Sequence, residues 1–166
     1  MGGQWSPVII VINNKENFMN NKTLMTDFYE LTMAQTYFDA GKKDEIAYFD
    51  IFFRENLFNG GYTISGGLDN IIEYINNFSV SAEEIEKLRK TKTFREEFLN
   101  YLSVLKFTGD IYAIPDGTPI FPNEPIITVK TKLVEAQIIE TALLACFNYG
   151  SLVTTSAKRI TNEGVY

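Results

Sequence analysis

The sequence predicts an α+β fold, on three observations. Apolar residues recur at helical spacing in several segments between Thr26 and Leu105. At Phe107 the pattern changes to short β-like runs separated by turn chemistry. The chain has 166 residues, of which 45% are hydrophobic and 14% aromatic. That is enough for one ordinary domain with a hydrophobic core, and it is not the composition of a disordered tail.

The first domain-like signal comes near Leu24. Residues 1–22 are expected to be an extension. Val8-Ile9-Ile10-Val11-Ile12 reads either as a short strand or as part of a poorly ordered segment, and the polar stretch from Asn13 to Asn21 favours the second. Met19 is an alternative start. A helix is expected from about Thr26 to Ala40: Thr26 and Asp27 suit an N-cap and first turn, Phe28, Leu31, Ala34 and Phe38 share a face, and Gly41 terminates it. Ile46 to Phe53 reads as a largely buried strand because it is short and rich in aromatic residues. Asn59-Gly60-Gly61 is a turn, Tyr62 to Ser65 is β-like, and Gly66-Gly67 opens a helix through Leu68, Ile71, Ile72 and Ile75.

Two capping boxes follow. Ser81 with Glu84 starts a helix to about Lys90, and Thr93 with Glu96 starts another to about Leu105. Phe107 to Ile114, Thr118 to Phe121 and Ile126 to Lys130 read as strands, with Pro115-Asp116-Gly117 and Pro122-Asn123-Glu124-Pro125 as turns between them. Leu133 to about Tyr149 is a helix apolar nearly all round, apart from Glu135, Gln137 and Glu140, so it must be covered on most sides. Ser156 to Asn162 is a further helix-like stretch. The end at Tyr166 reads as an interruption.

Composition excludes several function classes. The net charge of -6 argues against sequence-independent nucleic-acid binding, although a local arginine pocket for a small anion remains compatible. The single cysteine, Cys146, rules out an internal disulfide framework and fits a reducing cytoplasm. It sits in an apolar run, as a core thiol does. With no histidine, no imidazole base, histidine triad or histidine metal site can be built. No segment reads as the roughly 20 apolar residues of a membrane span, and no signal-peptide pattern is present, so no membrane partner is expected.

Candidate chemical groups each carry two readings. Gly60-Gly61 and Gly66-Gly67 could cradle a phosphate, but no Walker or dinucleotide spacing accompanies them, and turns or close packing explain them more simply. Asp110 and Asp116 could be paired carboxylates, or turn formers. Arg54 could reach an anion, or be an exposed strand-end arginine. Tyr29 lies off the Phe28–Leu31 face of its helix, as an exposed stacking platform or a half-buried aromatic.

The motifs nevertheless form a series. Thr26-Asp27-Phe28-Tyr29-Glu30-Leu31-Thr32-Met33-Ala34-Gln35 resembles the opening of nicotinate phosphoribosyltransferases. So do Phe52-Phe53-Arg54-Glu55-Asn56, Gly60-Gly61-Tyr62, Gly66-Gly67-Leu68, Phe107 through Gly117, Phe121-Pro122-Asn123-Glu124-Pro125, Glu135-Ala136-Gln137, Glu140-Thr141, Asn148 through Thr155, and Ala157-Lys158-Arg159. They follow the family's order across about Leu24 to Arg159.

The resemblance implies an amino-terminal α/β sandwich-like domain of a type II phosphoribosyltransferase over residues 23–150. Residues 151–166 would then be the truncated start of the link to a (β/α) barrel, which is missing. It implies transfer of phosphoribose from phosphoribosyl pyrophosphate to nicotinate, coupled to ATP hydrolysis through a phosphorylated histidine with magnesium, in a homo-oligomer. It implies substrate-binding roles for Tyr29, stacked on the pyridine ring across a subunit interface, for Asp27, which with Thr26 holds that turn, and for Arg159. Arg159 matches an Ala-Ala-Arg stretch with Lys158 at the second alanine, and reads equally as an anion-binding group or a structural salt bridge. No catalytic or metal-binding residue is assigned. The alternatives are an accessory domain that binds a homologous subunit, or a fragment of a nicotinamide or quinolinate phosphoribosyltransferase.

Overall fold

A computed structural model describes residues 8–9, 24–56 and 60–163 of the chain. The elements are β1 (Val8–Ile9), α1 (Phe28–Asp39), β2 (Ile46–Ile51), β3 (Thr63–Ile64), α2 (Leu68–Asn76), α3 (Ala82–Lys90), α4 (Glu96–Ser103), β4 (Asp110–Ala113), β5 (Pro119–Ile120), β6 (Ile127–Lys132) and α5 (Leu133–Glu163). Helices and small sheets are mixed, as the α+β expectation requires, and no barrel is formed among the described residues.

β6 organises the larger sheet. Ile127, Val129 and Thr131 are buried while Thr128, Lys130 and Lys132 are partly exposed, because successive strand residues face opposite sides. It pairs antiparallel with β2, from Ile46–Lys132 to Ile51–Ile127, and with β4, from Asp110–Lys130 to Ala113–Ile127. Val8 and Ile9 pair with Ala113 and Tyr112, so the order is β1-β4-β6-β2. Two residues of the apolar run thus take the strand reading; the other residues of 1–22 lie outside the described residues. β3 and β5 make a separate two-stranded ribbon.

β2 is an edge strand, and this corrects the expectation of burial. Ile46 and Tyr48 are exposed, and only Ile51 is fully buried. One side of β2 packs on α5; the other has no layer over it among the described residues.

α5 begins directly after β6 and is the hub of the core. Val134, Ile138, Ile139, Ala142 and Leu143 are almost fully buried. The helix packs on β2 and β6, on α1 and α2, and on β3. It runs unbroken for 31 residues, about 46 Å at 1.5 Å per residue, where a break after Tyr149 was expected. Gly150 sits inside it. A helix-interior glycine costs about 1 kcal/mol relative to alanine, but a Cβ there would stand 2.5 Å from both Cα and N of Gly67. The glycine lets two backbones touch. Because the helix continues, Leu133–Thr161 is long and apolar enough to cross a membrane by length and composition, contrary to expectation, although its first half is the core of this fold. Tyr149, at the end of the stretch expected to be covered, is exposed, and so are Leu152, Val153 and Ile160 beyond it.

The Ser81 capping box forms as expected. Glu84 N–H donates to Ser81 Oγ at 3.3 Å and Ser81 N–H to Glu84 Oε2 at 2.8 Å, an arrangement that contributes about 1 kcal/mol. The Thr93–Glu96 box does not form. Arg95 is the N-cap without a side-chain bond, and Glu96 is drawn to Arg89 at 2.7 Å. On α1, Phe28 is half exposed and packs edge-on against Phe94 at 5.4 Å; the buried face is Glu30, Leu31 and Ala34.

Candidate functional site

The first turn of α1 presents an open aromatic ring. Tyr29 is 54% exposed, so its ring is open to solvent on one side, which is compatible with both of its readings. The charge of Glu30 pushes its phenol above the usual range, helped by partial desolvation and by Glu140 and Asp27. Asp27 occupies the N-cap position with extended backbone, and its carbonyl accepts from Glu30 N–H at 3.1 Å, but its side chain makes no capping bond. The side-chain bond at this turn comes instead from Thr26, whose hydroxyl donates to Glu30 Oε2 at 2.6 Å.

Glu30 is 1% exposed. Thr141 of α5 donates to its Oε1 at 2.7 Å, and the Tyr29 hydroxyl lies 3.4 Å from the same oxygen. Glu30 lies in the first turn of α1, where the positive end of the helix favours a carboxylate. Glu140, the neighbour of Thr141, has its carboxyl pushed up by burial and then by the charge of Glu30. Glu140 also borders a cavity of about 60 Å³ between α5 and the sheet. That is far below the roughly 300 Å³ of a small-molecule pocket, so the Tyr29 ring, and not this cavity, is the candidate binding surface.

Arg159 does not join this cluster. It is partly buried near the end of α5, eighteen residues beyond Thr141, about 27 Å along the helix axis. Arg54 is exposed just after β2. Asp110 and Asp116 are not a pair. Asp110 lies 4.0 Å from Lys130 Nζ, whereas Asp116 Oδ2 accepts from the backbone N–H groups of Gly67 and Leu68, each at 3.1 Å. The N-terminus of α2 therefore already holds an anion, the chain's own carboxylate. Gly66 and Gly67 pack against Gly150, Thr154 and Cys146, which supports the packing reading over the phosphate cradle.

The chain matches the family described as nicotinate phosphoribosyltransferase (NAPRTase) N-terminal domain over residues 24–148. The chain belongs to the nicotinate phosphoribosyltransferase family. It is 43% identical over 138 residues to nicotinate phosphoribosyltransferase of Bacillus subtilis, covering 83% of this chain and 28% of that protein. It is 40% identical over 151 residues to nicotinate phosphoribosyltransferase 1 of Arabidopsis thaliana, covering 90% and 27%. The crystal structure of human nicotinic acid phosphoribosyltransferase superposes with a TM-score of 0.76 at 32% identity, covering 82% of this chain and 28% of that one. The chain thus spans under a third of the length of these relatives.

Within this nicotinate phosphoribosyltransferase domain, several of the family-like motifs hold the scaffold together. Glu135 accepts from Thr108 N–H and Thr108 Oγ1, both at 2.8 Å, and from Thr131 Oγ1 at 2.5 Å, tying the segment that leads into β4 to β6 and α5. The Thr155 hydroxyl accepts from Ile64 N–H at 2.9 Å and docks the far half of α5 on β3. Sequence reasoning did not single out Glu30 or Thr141. The available signals were the four-residue step from Thr26 to Glu30 and the phase of Glu30 with Leu31 and Ala34; the Thr141 partner lies 111 positions away and leaves no local trace.

Proposed function

We propose that this chain supplies the pyridine-stacking face of a nicotinate phosphoribosyltransferase, which joins nicotinate to the ribose of phosphoribosyl pyrophosphate and gives nicotinate mononucleotide and pyrophosphate. The exposed Tyr29 ring, on the motif that resembles the family's opening, carries this reading. An aromatic acid laid on that ring gains roughly 0.5–1.5 kcal/mol beyond burial. Asp27, Glu30 and Glu140 all act on the phenol as negative charges. They repel a carboxylate, so nicotinate stacks with its own carboxylate turned away from α5. Its ring nitrogen then attacks the ribose as pyrophosphate leaves, and fixed positive groups stabilise that leaving anion. Arg159 is a candidate of this kind in the chain; it would share a site with Tyr29 only where a second subunit brings the two together.

Magnesium and ATP belong to the family reaction. Among the described residues no group of three or more cysteine, aspartate or glutamate side chains is placed to hold a metal ion, so no residue of this chain is assigned to either. The family couples ATP through a phosphorylated histidine, and the chain has no histidine. Because no group that would stabilise the leaving pyrophosphate, beyond the candidate Arg159, is identified in it, the chain by itself is expected to give no mononucleotide from nicotinate, phosphoribosyl pyrophosphate, ATP and magnesium; the proposed location of the enzyme is the cytoplasm.

Binding is tested by NMR of tyrosine-labelled chain. Millimolar nicotinate is expected to shift the Tyr29 ring signals, nicotinamide and quinolinate to shift them less, and Tyr29→Ala to abolish the response. A Tyr29 signal indifferent to nicotinate removes the stacking reading.

A second reading has its own observation. Tyr149, Leu152, Val153 and Ile160 fall on one face of α5 and are exposed, up to 72% for Ile160. Contiguous exposed apolar surface marks a protein interface. The chain would then be an accessory domain that docks on a homologous nicotinate phosphoribosyltransferase subunit, or on another copy of itself. Sizing chromatography is expected to show self-association that Val153→Glu with Ile160→Glu reverses. A cooperative monomer with the native stripe intact counts against it.

A further inference from the structure

Glu30 is a buried carboxylate whose part in the proposed reaction, so far, is only as one of three charges that repel a carboxylate. Burying a charge is costly unless hydrogen bonds compensate it, and the donors to Glu30 converge from three places. Thr26 comes from the segment before α1, Thr141 from α5, and Tyr29 from the same turn. The two threonine bonds are short. The phenol contact at 3.4 Å is long against the 2.7–2.8 Å typical of O–H···O, so on its own it is weak (about as far as such a bond reaches). The firm part is therefore the clasp Thr26–Glu30–Thr141.

The place of the clasp gives it a purpose. The first turn of a helix has backbone N–H groups without intrahelical partners and frays readily. In α1 the Asp27 side chain does not cap that turn. Yet this is the turn that carries the exposed Tyr29 ring. The structure assigns Glu30 as the positioning residue for Tyr29: it pins the uncapped first turn of α1 to α5 through Thr141 and sets the phenol with the remaining reach of Oε1. Its value to catalysis rests on the Tyr29 stacking reading; the positioning itself does not need nicotinate. Three variants separate the parts. Glu30→Gln keeps the shape and an acceptor but removes the charge, Glu30→Ala removes both, and Thr141→Val removes only the α5 arm.

The test uses the whole chain with ¹³C-labelled tyrosine, the Tyr29 signal being assigned through Tyr29→Phe. Ring order is measured by relaxation without ligand, with Tyr48 of the edge strand, 64% exposed and outside the α5 stripe, as the reference for an exposed ring. Thr141→Val and Glu30→Ala are expected to bring Tyr29 down to the order of Tyr48, while Glu30→Gln retains most of it. The phenol of Tyr29 should also titrate lower in Glu30→Gln, where a merely structural effect on folding would not move it; the Asp27 and Glu140 charges persist in that variant. Tyr29 order unchanged in Thr141→Val and in Glu30→Ala overturns the assignment, and if Glu30→Ala does not fold, Thr141→Val decides alone. Order lost in these variants while nicotinate never shifts Tyr29 supports the positioning role and rejects the stacking reading.

Discussion

Gly150→Ala is expected to destabilise the chain by about 2 kcal/mol, although helix propensity argues the other way. Alanine in a helix interior is favoured over glycine by about 1 kcal/mol. Against this, the new Cβ would stand 2.5 Å from Cα and N of Gly67 and 2.6 Å from the carbonyl carbon of Gly66. These are backbone atoms and no rotamer change moves them. Gly67 is held by the Asp116 carboxylate and has φ 99°, a left-handed conformation that glycine adopts without penalty. Relief must come from α5 lifting off the β3–α2 connection, which strains the Thr155–Ile64 bond as well. Overpacking of this kind costs up to about 3 kcal/mol, and it outweighs the propensity gain. Urea denaturation followed by far-ultraviolet circular dichroism reads the effect as a midpoint lowered by about 1 M, for a slope of about 2 kcal/mol per M. A midpoint at or above that of the native chain would show that α5 yields at Gly150 without loss.

The contrast between Gly150 and Ser81 explains which parts of this fold are legible in the sequence. Ser81 and Glu84 satisfy each other within one turn, so their spacing alone carries the helix start. The same spacing at Thr93 and Glu96 misleads, because Glu96 is instead bonded to Arg89, seven residues back. Gly150 looks like a helix end until Gly67 is known to touch it. β2 looks buried because its residues are apolar, but its depth depends on its place at the edge of the sheet, which no local pattern encodes. The candidate site divides in the same way. The outward direction of Tyr29 follows from its phase relative to Leu31 and Ala34, whereas its meaning comes only from resemblance to a family. The clasp behind it joins residues 111 positions apart. The remoteness of Arg159 follows from the continuity of α5.

Glu135→Ala is expected to cost more, about 3–5 kcal/mol, comparable with breaking a buried charged contact. Glu135 is 1% exposed and accepts three hydrogen bonds, two from Thr108 and one from Thr131. Alanine leaves the Thr108 N–H and both hydroxyls without this acceptor, at about 1–3 kcal/mol for each donor that stays dry. Removing the carboxylate also removes its own desolvation cost, which keeps the total below the simple sum. Glu135→Gln retains one side-chain oxygen as an acceptor and should lose less than half as much. Network and cavity effects are separated by adding Thr131→Val. In the native background that change breaks a bond; in the Glu135→Ala background the bond is already gone, so the two losses should fall short of additivity by 0.5–3 kcal/mol. Additive losses, or a single-variant loss below about 1 kcal/mol, would refute the network. The consequence reaches the Tyr29 turn, because Thr141 lies under two turns along the same helix. Where α5 is no longer tied to β6 and to the segment that leads into β4, the arm that holds Glu30 from behind loses its own anchor. A Glu135→Gln chain that remains folded should therefore show lower Tyr29 ring order than the native chain, with the packing of Phe94 against Phe98 of α4 left unchanged.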